Sequence, residues 1–118
     1  MINNKSIYIA GPMRGYHLYN FPAFDKARDE FEGEGWSVVS PADIDRDNGF
    51  DPINLPADFD WNDIPDELEL MDCIDRDLKA VKECDAILML DGWRKSLGAT
   101  AERAVAKWAM KEVFYEAV

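Results

Sequence analysis

The chain has 118 residues, of which 47% are hydrophobic and 31% are charged, and its formal net charge is −11. This length suits one domain, the composition excludes a disordered chain, and no apolar run approaches the roughly 20 residues of a membrane span. The acidic charge argues against binding to nucleic acid, and because the chain starts without a signal-peptide pattern we expect a cytoplasmic protein that contacts no membrane.

The first part of the chain predicts a strand, a helix and a second strand. Ser6–Ala10 is a short apolar run with β-branched and aromatic residues, which is typical of a buried strand, and Gly11 ends it. A helix is predicted from Phe21, with Asn20 as its cap, and it ends at Gly33. Residues 36–40 are predicted to form the second strand.

Residues 41–65 are predicted to form an acidic loop rich in proline and aspartate. The wider segment 41–80 contains 13 acidic and 3 basic residues, a net charge of −10, whereas the rest of the chain has a net charge of −1. A structureless loop of this length is uncommon in a compact domain and is usually functional. We interpret it as a lid or as a contact between subunits, with room for one short helical turn.

The rest of the chain predicts a helix, a strand, a helix and a strand. The first helix begins at Asp66, and its apolar face contains Leu70, Ile74, Leu78 and Val81. Residues 85–90 are almost continuously apolar, which is typical of a parallel strand buried on both faces. The second helix covers residues 98–111 and precedes a terminal strand at 113–115. Its sheet-facing residues are expected to be Ala101, Ala104, Val105 and Trp108.

The order of these elements predicts an α/β fold with a parallel sheet and right-handed crossovers. Ligands of such sheets bind at the carboxyl ends of the strands. Three predicted loops leave these ends, at residues 11–19, 41–65 and 91–97. We therefore expect the functional side chains in or beside these three loops.

The first of these loops has features of an anion site. Gly11 and Gly15 permit a ligand to approach the backbone N–H groups, and Arg14 offers a guanidinium group to an oxyanion. The loop matches neither the dinucleotide fingerprint nor the Walker A pattern. The alternative is an ordinary turn between strand and helix with one surface arginine.

The last loop leads into a helix whose first residues suit both binding and catalysis. Ser96 and Gly98 lie where backbone amides are free to bind an anion. Glu102 follows within the first two turns, where the helix dipole favours an ionised carboxylate, as a nucleophile requires. The alternative is that Ser96 caps the helix and Glu102 complements its dipole.

Few other residues suggest chemistry by themselves. Asp77 lies about two turns before the strand that opens at Asp85, among acidic residues that also suit a solvated helix face. Cys73 and Cys84 are too far apart on one helix to form a disulfide. One histidine and two cysteines are too few for a metal site of those ligands, so no metal or other cofactor is expected. An all-carboxylate site in the acidic loop is the alternative.

Three motifs together resemble the nucleoside 2-deoxyribosyltransferase superfamily, in particular its small phage and bacterial proteins grouped as an uncharacterised domain. The motifs are Tyr8-Ile9-Ala10-Gly11-Pro12, then Asp77-Leu78 with Asp85, then Ser96-x-Gly98-x-x-x-Glu102. The resemblance covers about residues 5–40 and 72–115. It implies one such domain over residues 1–118 and a flavodoxin-like, or Rossmann-like, parallel sheet of four to five strands with flanking helices. The implied chemistry is cleavage of the N-glycosidic bond of 2′-deoxynucleosides or their monophosphates, without a cofactor.

The resemblance also implies roles for four residues. Glu102 matches the nucleophile that attacks C1′ and forms a covalent deoxyribosyl intermediate, and Asp77 matches the acid that protonates the departing base. Tyr8 matches a tyrosine that orients the nucleophile, and Gly11 matches the glycine of the loop around the sugar. This is the two-carboxylate chemistry of a retaining glycosidase.

The same resemblance implies a choice of substrate. The transferases commonly have an aspartate six residues before the nucleophile, whereas the related monophosphate N-glycosidases have a serine there and an arginine in the first loop. Ser96 and Arg14 therefore favour a deoxynucleoside 5′-monophosphate over a free deoxynucleoside, with Gly98 contributing its amide. Pro12, and a longer loop before Ser96, depart from the glycosidase pattern.

Aromatic residues and quaternary structure complete the expectations. Phe59, Trp61 and Trp93 are candidates for stacking on the base, and the alternative is that they anchor their loops to the core or to a neighbouring subunit. The resemblance implies a homodimer or a larger homo-oligomer. Two other functions stay open: a nucleotide-binding module with little catalysis, and an acidic interaction protein that mimics nucleic acid.

Overall fold

The computed structural model describes residues 5–65 and 68–117, and within these ranges four parallel strands form one sheet. The strands are β1 (Ser6–Ala10), β2 (Ser37–Val39), β3 (Ala86–Met89) and β4 (Glu112–Tyr115), in the spatial order β2-β1-β3-β4. The two central strands are apolar and almost wholly buried, as expected of strands covered on both faces. The predicted parallel α/β sheet with flanking helices is confirmed.

Two helices cover each face of the sheet. On one face, α1 (Phe21–Gly33) and α2 (Pro41–Asp47) pack against Ile7 and Ile9 of β1 and the side chains of β3 that point the same way. On the other face, α3 (Leu70–Glu83) and α4 (Leu97–Trp108) pack against the alternate residues of both strands. No helix in the described ranges is long and apolar enough to cross a membrane.

The chain enters α1 through a left-handed turn, and Asn20 does not cap the helix as predicted. Leu18, Tyr19 and Asn20 have φ values of 51°, 50° and 63°, a conformation that is unfavourable for residues other than glycine. The Asn20 side-chain amide donates to the carbonyl oxygen of Pro12 at 2.9 Å, and its oxygen accepts no hydrogen bond from a helix amide. The turn buries the Tyr19 ring, whose hydroxyl donates to the carbonyl oxygen of Asp63. This hydrogen bond connects the first loop to the acidic segment.

The acidic segment 41–65 is more ordered than the sequence predicts. It contains the seven-residue helix α2 and a 3-10 turn at Pro52–Asn54. Proline fits the first turn of α2, and Asp43 and Arg46 lie at the ends of the helix where their charges suit its dipole. Asp43 is also ion-paired with Arg28 of α1, so part of the acidic charge is neutralised within the fold.

Two predictions about the later helices are wrong. Helix α3 begins at Leu70 rather than Asp66, and residues 66 and 67 lie outside the described residues. On α4 three of the four predicted sheet-facing residues point outward: Ala101 and Ala104 are exposed, and Trp108 is 87% exposed. Val105 is half-buried and packs against the core as predicted. Ala99 and Ala106 are buried instead. Both sets have helical spacing. The two buried residues are alanines, and their small side chains allow the helix to lie close to the sheet.

Candidate active site

A cavity of about 710 Å³ lies at the carboxyl edge of the sheet. Its walls come from the loop after β1, from α2, from α3 and from the start of α4. The strands of the sheet are parallel, so the residues that follow each strand meet at this edge. The cavity therefore lies where the sequence analysis places a ligand.

Tyr8 and Glu102 form a partly buried hydrogen bond at this cavity. Tyr8 belongs to β1 and is completely buried, and its hydroxyl donates to Oε2 of Glu102 at 2.6 Å. Burial is the main cause that raises the pKa of Glu102 to about 8, whereas the hydrogen bond from Tyr8 acts to lower it. Burial also raises the pKa of Tyr8 well above its usual value, so the hydroxyl stays a donor.

The ionisation of Glu102 differs from the sequence expectation. The helix dipole was expected to favour the carboxylate, but Glu102 is the sixth residue of α4. The dipole acts mainly within the first turn, so the loss of hydration decides the direction of the pKa shift. Glu102 can therefore hold a proton near neutral pH when the cavity is empty.

Asp77 lines the same cavity and is held by the arginine that precedes it. Nε of Arg76 donates to Oδ1 of Asp77 at 2.9 Å, and NH1 of Arg76 lies 2.8 Å from Oδ1 of Asp45, a buried residue of α2. Burial raises the pKa of Asp77, and Arg76 opposes that shift. The charge of Asp77 in turn raises the pKa of Glu102. The cavity therefore holds two carboxyl groups with raised pKa values, one beside a phenol and one beside a guanidinium, an arrangement typical of acid–base sites.

The exposed side of the cavity has the features of an anion site. Arg14 and Lys95 are exposed, and they line the cavity together with Ser96 and Gly98. Oγ of Ser96 accepts from the amide of Ala99 at 3.1 Å, so Ser96 caps α4 as the alternative interpretation holds. This bond uses the oxygen as an acceptor and leaves the hydroxyl proton available for a ligand.

Gly11 does not line the cavity, although the sequence analysis placed it in the binding loop. It is buried, and a Cβ atom there would lie 2.8 Å from Cβ of Leu90. Close packing between the end of β1 and the residue that follows β3 therefore accounts for the glycine.

Phe59 and Trp61 also lie outside the lining of the cavity. Their ring centroids are 5.4 Å apart, and both rings contact Tyr19 edge-on. This arrangement matches the alternative in which they anchor the acidic segment to the core. The aromatic side chains that do line the cavity are Tyr16, Tyr19, Phe21 and Phe50.

Trp93 packs against the other face of the sheet, next to α4. The guanidinium groups of Arg94 and Arg103 lie 4.7 Å and 4.9 Å from the centre of the Trp93 ring. Its face is therefore occupied by two cations of this chain, and Trp93 is not among the residues that line the cavity.

Arg76 and Asp45 are site residues that the sequence analysis did not select. The signal for Arg76 was its place directly before Asp77. Asp45 lies between Asp43 and Asp47 in the acidic segment, and nothing in the sequence distinguishes it from them. Among the described residues, no three His, Cys, Asp or Glu side chains gather as a metal site.

The fold is that of the 2-deoxyribosyltransferases. A 2-deoxyribosyltransferase from Leishmania mexicana matches the structure with a TM-score of 0.61 and 18% sequence identity, over 94% of this chain and 63% of that chain. The resemblance found in the sequence is confirmed at the level of the fold, and this chain spans less than two thirds of that relative's length. The chain belongs to the family described as "Domain of unknown function (DUF4406)", whose model matches residues 5–115. No curated protein matches it.

Proposed function

We propose that the protein cleaves the N-glycosidic bond of 2′-deoxynucleoside 5′-monophosphates through a covalent deoxyribosyl intermediate on Glu102. The observation that carries this proposal is the hydrogen bond from Tyr8 to Glu102 in a cavity that Asp77 also lines. The fold shared with a 2-deoxyribosyltransferase supports the same class of chemistry.

The two carboxyl groups divide the reaction between them. A carboxylate oxygen of Glu102 attacks C1′, the bond from C1′ to the base breaks, and its electron pair goes to the base nitrogen. Asp77 supplies a proton to the base, because an anionic base leaves poorly. Water or a second base then attacks C1′, its proton returns to Asp77, and the carboxylate of Glu102 is released.

The cycle needs the two carboxyl groups in opposite states of protonation. The productive form has the proton on Asp77 and the negative charge on Glu102, with the Tyr8 hydroxyl donating to that carboxylate. The two groups influence each other's ionisation, so their titrations are coupled and belong to the pair.

The exposed end of the cavity favours a phosphate on the substrate. Arg14 and Lys95 contribute positive charge in a chain whose net charge is −11. The free amides at the start of α4 and the Ser96 hydroxyl add donors beside them. A deoxynucleoside 5′-monophosphate would then bind with its phosphate at the exposed end and its glycosidic bond near Glu102.

The proposal includes a homo-oligomer in the cytoplasm, as the sequence suggests. Large apolar side chains are exposed on α3, on α4 and just after α4: Met71, Leu97, Trp108 and Met110. Leu97 also lines the cavity, so a second copy of the chain on this face would help to cover it. Light scattering coupled to gel filtration tests this, with Trp108→Glu expected to shift an oligomer towards the monomer.

The decisive experiment is release of the base from a panel of 2′-deoxynucleoside 5′-monophosphates and the matching free deoxynucleosides. The wild type is expected to release base, and Glu102→Gln is expected to lose several orders of magnitude in kcat. Intact-protein mass spectrometry of the wild type after rapid acid quench should show an adduct that Glu102→Gln lacks.

The same panel separates the alternatives. Binding of nucleotides without release of base would favour a binding module with little catalysis. Neither binding nor turnover, together with co-purification of a basic protein, would favour the acidic interaction protein.

A further inference from the structure

Asp45 is a buried carboxylate that takes no part in the steps assigned to Glu102 and Asp77. It belongs to α2, in the acidic segment that the sequence resemblance does not cover, and it is 4% exposed. A carboxylate is rarely buried to this degree unless it is paired with a cation. Its partner is Arg76, whose NH1 lies 2.8 Å from Oδ1 of Asp45.

Arg76 joins Asp45 to Asp77. Its Nε donates to Oδ1 of Asp77 at 2.9 Å, while NH1 of the same guanidinium group faces Asp45. The guanidinium group is planar and rigid, so an ion pair at one edge of it restricts where its other edge points. Asp45 therefore holds the group that orients Asp77.

The second contact also changes the charge that Asp77 experiences. An arginine paired with Asp77 alone would favour the carboxylate, which is the wrong state for a group that must give a proton to the departing base. The negative charge of Asp45 opposes this and acts to raise the pKa of Asp77.

Other charged or titratable groups near Arg76 and Asp77 come from three elements. Cys73 lies one turn earlier on α3, Glu102 lies on α4, and Tyr8 lies on β1. None of these three bridges to Arg76 through an ion pair, so Asp45 is the group whose removal frees the second edge of the guanidinium.

We propose that Asp45 is a positioning residue, which holds Arg76 so that Asp77 stays oriented in the cavity with a proton for the departing base. The inference rests on the proposed function, because it takes Asp77 as the acid of that reaction. It assigns a part in the chemistry to α2, a helix of the acidic segment.

Asp45→Asn tests the proposal, and Asp43→Asn is its matched control. Both changes remove one carboxylate from α2, but Asp43 is paired with Arg28 and Arg46 and has no ion pair with Arg76. The substrates are 2′-deoxyguanosine 5′-monophosphate and its 7-methyl derivative. The methylated base is already cationic, so it leaves as a neutral molecule without taking a proton.

We expect Asp45→Asn to lower kcat on the unmethylated substrate by roughly tenfold or more, and to change kcat on the methylated one little, because loss of a general acid affects only a base that needs a proton. Asp43→Asn is expected to leave both unchanged. Equal losses on the two substrates, or no loss, would overturn the proposal. If Asp45→Asn does not fold, Arg76→Lys replaces it, since an ammonium group lacks the rigid planar fork that orients two carboxylates, and the same difference between substrates is expected.

A second measurement does not depend on turnover. Carbon-detected NMR titration of the side-chain carboxyl groups, with Asp77 assigned through Asp77→Asn, reports the pKa of Asp77 directly. The pKa of Asp77 should fall in Asp45→Asn and stay unchanged in Asp43→Asn. If it is unchanged in both variants, the coupling of Asp45 to Asp77 is contradicted, even in an active enzyme. Absence of turnover by the wild type, with the expected NMR shift, would instead refute the proposed function and leave the coupling of Asp45 to Asp77 established.

Discussion

The hydroxyl of Tyr8 lies 2.6 Å from Oε2 of Glu102 at the carboxyl edge of the sheet, where Tyr8 is buried and Glu102 is half-buried. Burial disfavours a charge on Glu102, whereas the phenol stabilises that charge. The pair therefore sets how much of the nucleophile is ionised near neutral pH.

Removing the phenol should make the nucleophile harder to ionise. Tyr8→Phe keeps the ring in its buried site but removes the donor, so the pKa of Glu102 should rise above its value of about 8. The rise of kcat/KM with pH should move to higher pH, and kcat at pH 7 should fall by roughly 10- to 100-fold, the worth of one charge-assisted hydrogen bond. If the pH dependence of kcat/KM in Tyr8→Phe is the same as in the wild type, Tyr8 does not act on the ionisation of Glu102.

Glu102→Gln should stabilise the fold while it removes activity. The pKa of Glu102 is raised from an ordinary value of about 4.5 to about 8, so the unfolded chain ionises first and the wild type loses stability as pH rises between these values. An amide has no such dependence. The variant should exceed the wild type in free energy of unfolding by up to about 3 kcal/mol at pH 7, and by little at pH 4.

Urea unfolding at pH 4, 6 and 8 measures this difference. Glu112→Gln, at an exposed position of β4, serves as the control and should follow the wild type at each pH. A stability difference between Glu102→Gln and the wild type that does not grow with pH would mean that the buried carboxyl is not the cause.

Asp77→Asn should affect each substrate according to how much its base needs a proton. A general acid typically contributes roughly 10²- to 10⁴-fold, so kcat on ordinary deoxynucleotides should fall within that range. A substrate with a 7-methylated purine should be cleaved at close to the wild-type rate. Asp75→Asn, exposed on the same helix, is the control and should cleave both at the wild-type rate.

The proposed phosphate site makes Arg14 important for affinity. Arg14→Ala should raise KM for a deoxynucleoside monophosphate by a factor that corresponds to about 1.5–3 kcal/mol. Arg94→Ala is a close control, because Arg94 is also exposed but lies over the ring of Trp93 and does not line the cavity. If the wild type binds a deoxynucleoside and its monophosphate equally well, the phosphate does not bind there.

The sequence allowed the sheet to be predicted because β1 and β3 are short, continuous apolar runs bounded by turn residues. It did not allow the face of α4 to be predicted, because the buried Ala99 and Ala106 and the exposed Ala101 and Trp108 belong to stripes with the same helical spacing. Periodicity finds a helix, and only the packing of small side chains against the sheet decides which stripe is buried.

The candidate site was predictable only in part for a similar reason. Glu102 and Asp77 belong to short motifs, whereas the contact between Arg76 and Asp45 joins two helices that lie far apart in the sequence. Helix α2 was predicted as part of a loop because proline and aspartate suit both a loop and the first turn of a helix.

The substitution Gly11→Ala tests whether packing or substrate binding explains the glycine in the first loop. A Cβ atom at this position would lie 2.8 Å from Cβ of Leu90 and 2.9 Å from its Cδ1, so Gly11→Ala should force Leu90 and the backbone apart. We expect a loss of about 1–3 kcal/mol in the free energy of unfolding, the usual cost of overpacking, and little change in KM at a temperature where the variant is folded. Gly33→Ala is the control, because a Cβ atom there meets nothing within 4 Å, and it should match or exceed the wild type in thermal stability. Thermal unfolding and KM measured on the same preparations check both effects. If Gly11→Ala has wild-type stability and a raised KM, packing does not explain the glycine, and Gly11 has the substrate-binding role that the sequence resemblance implies.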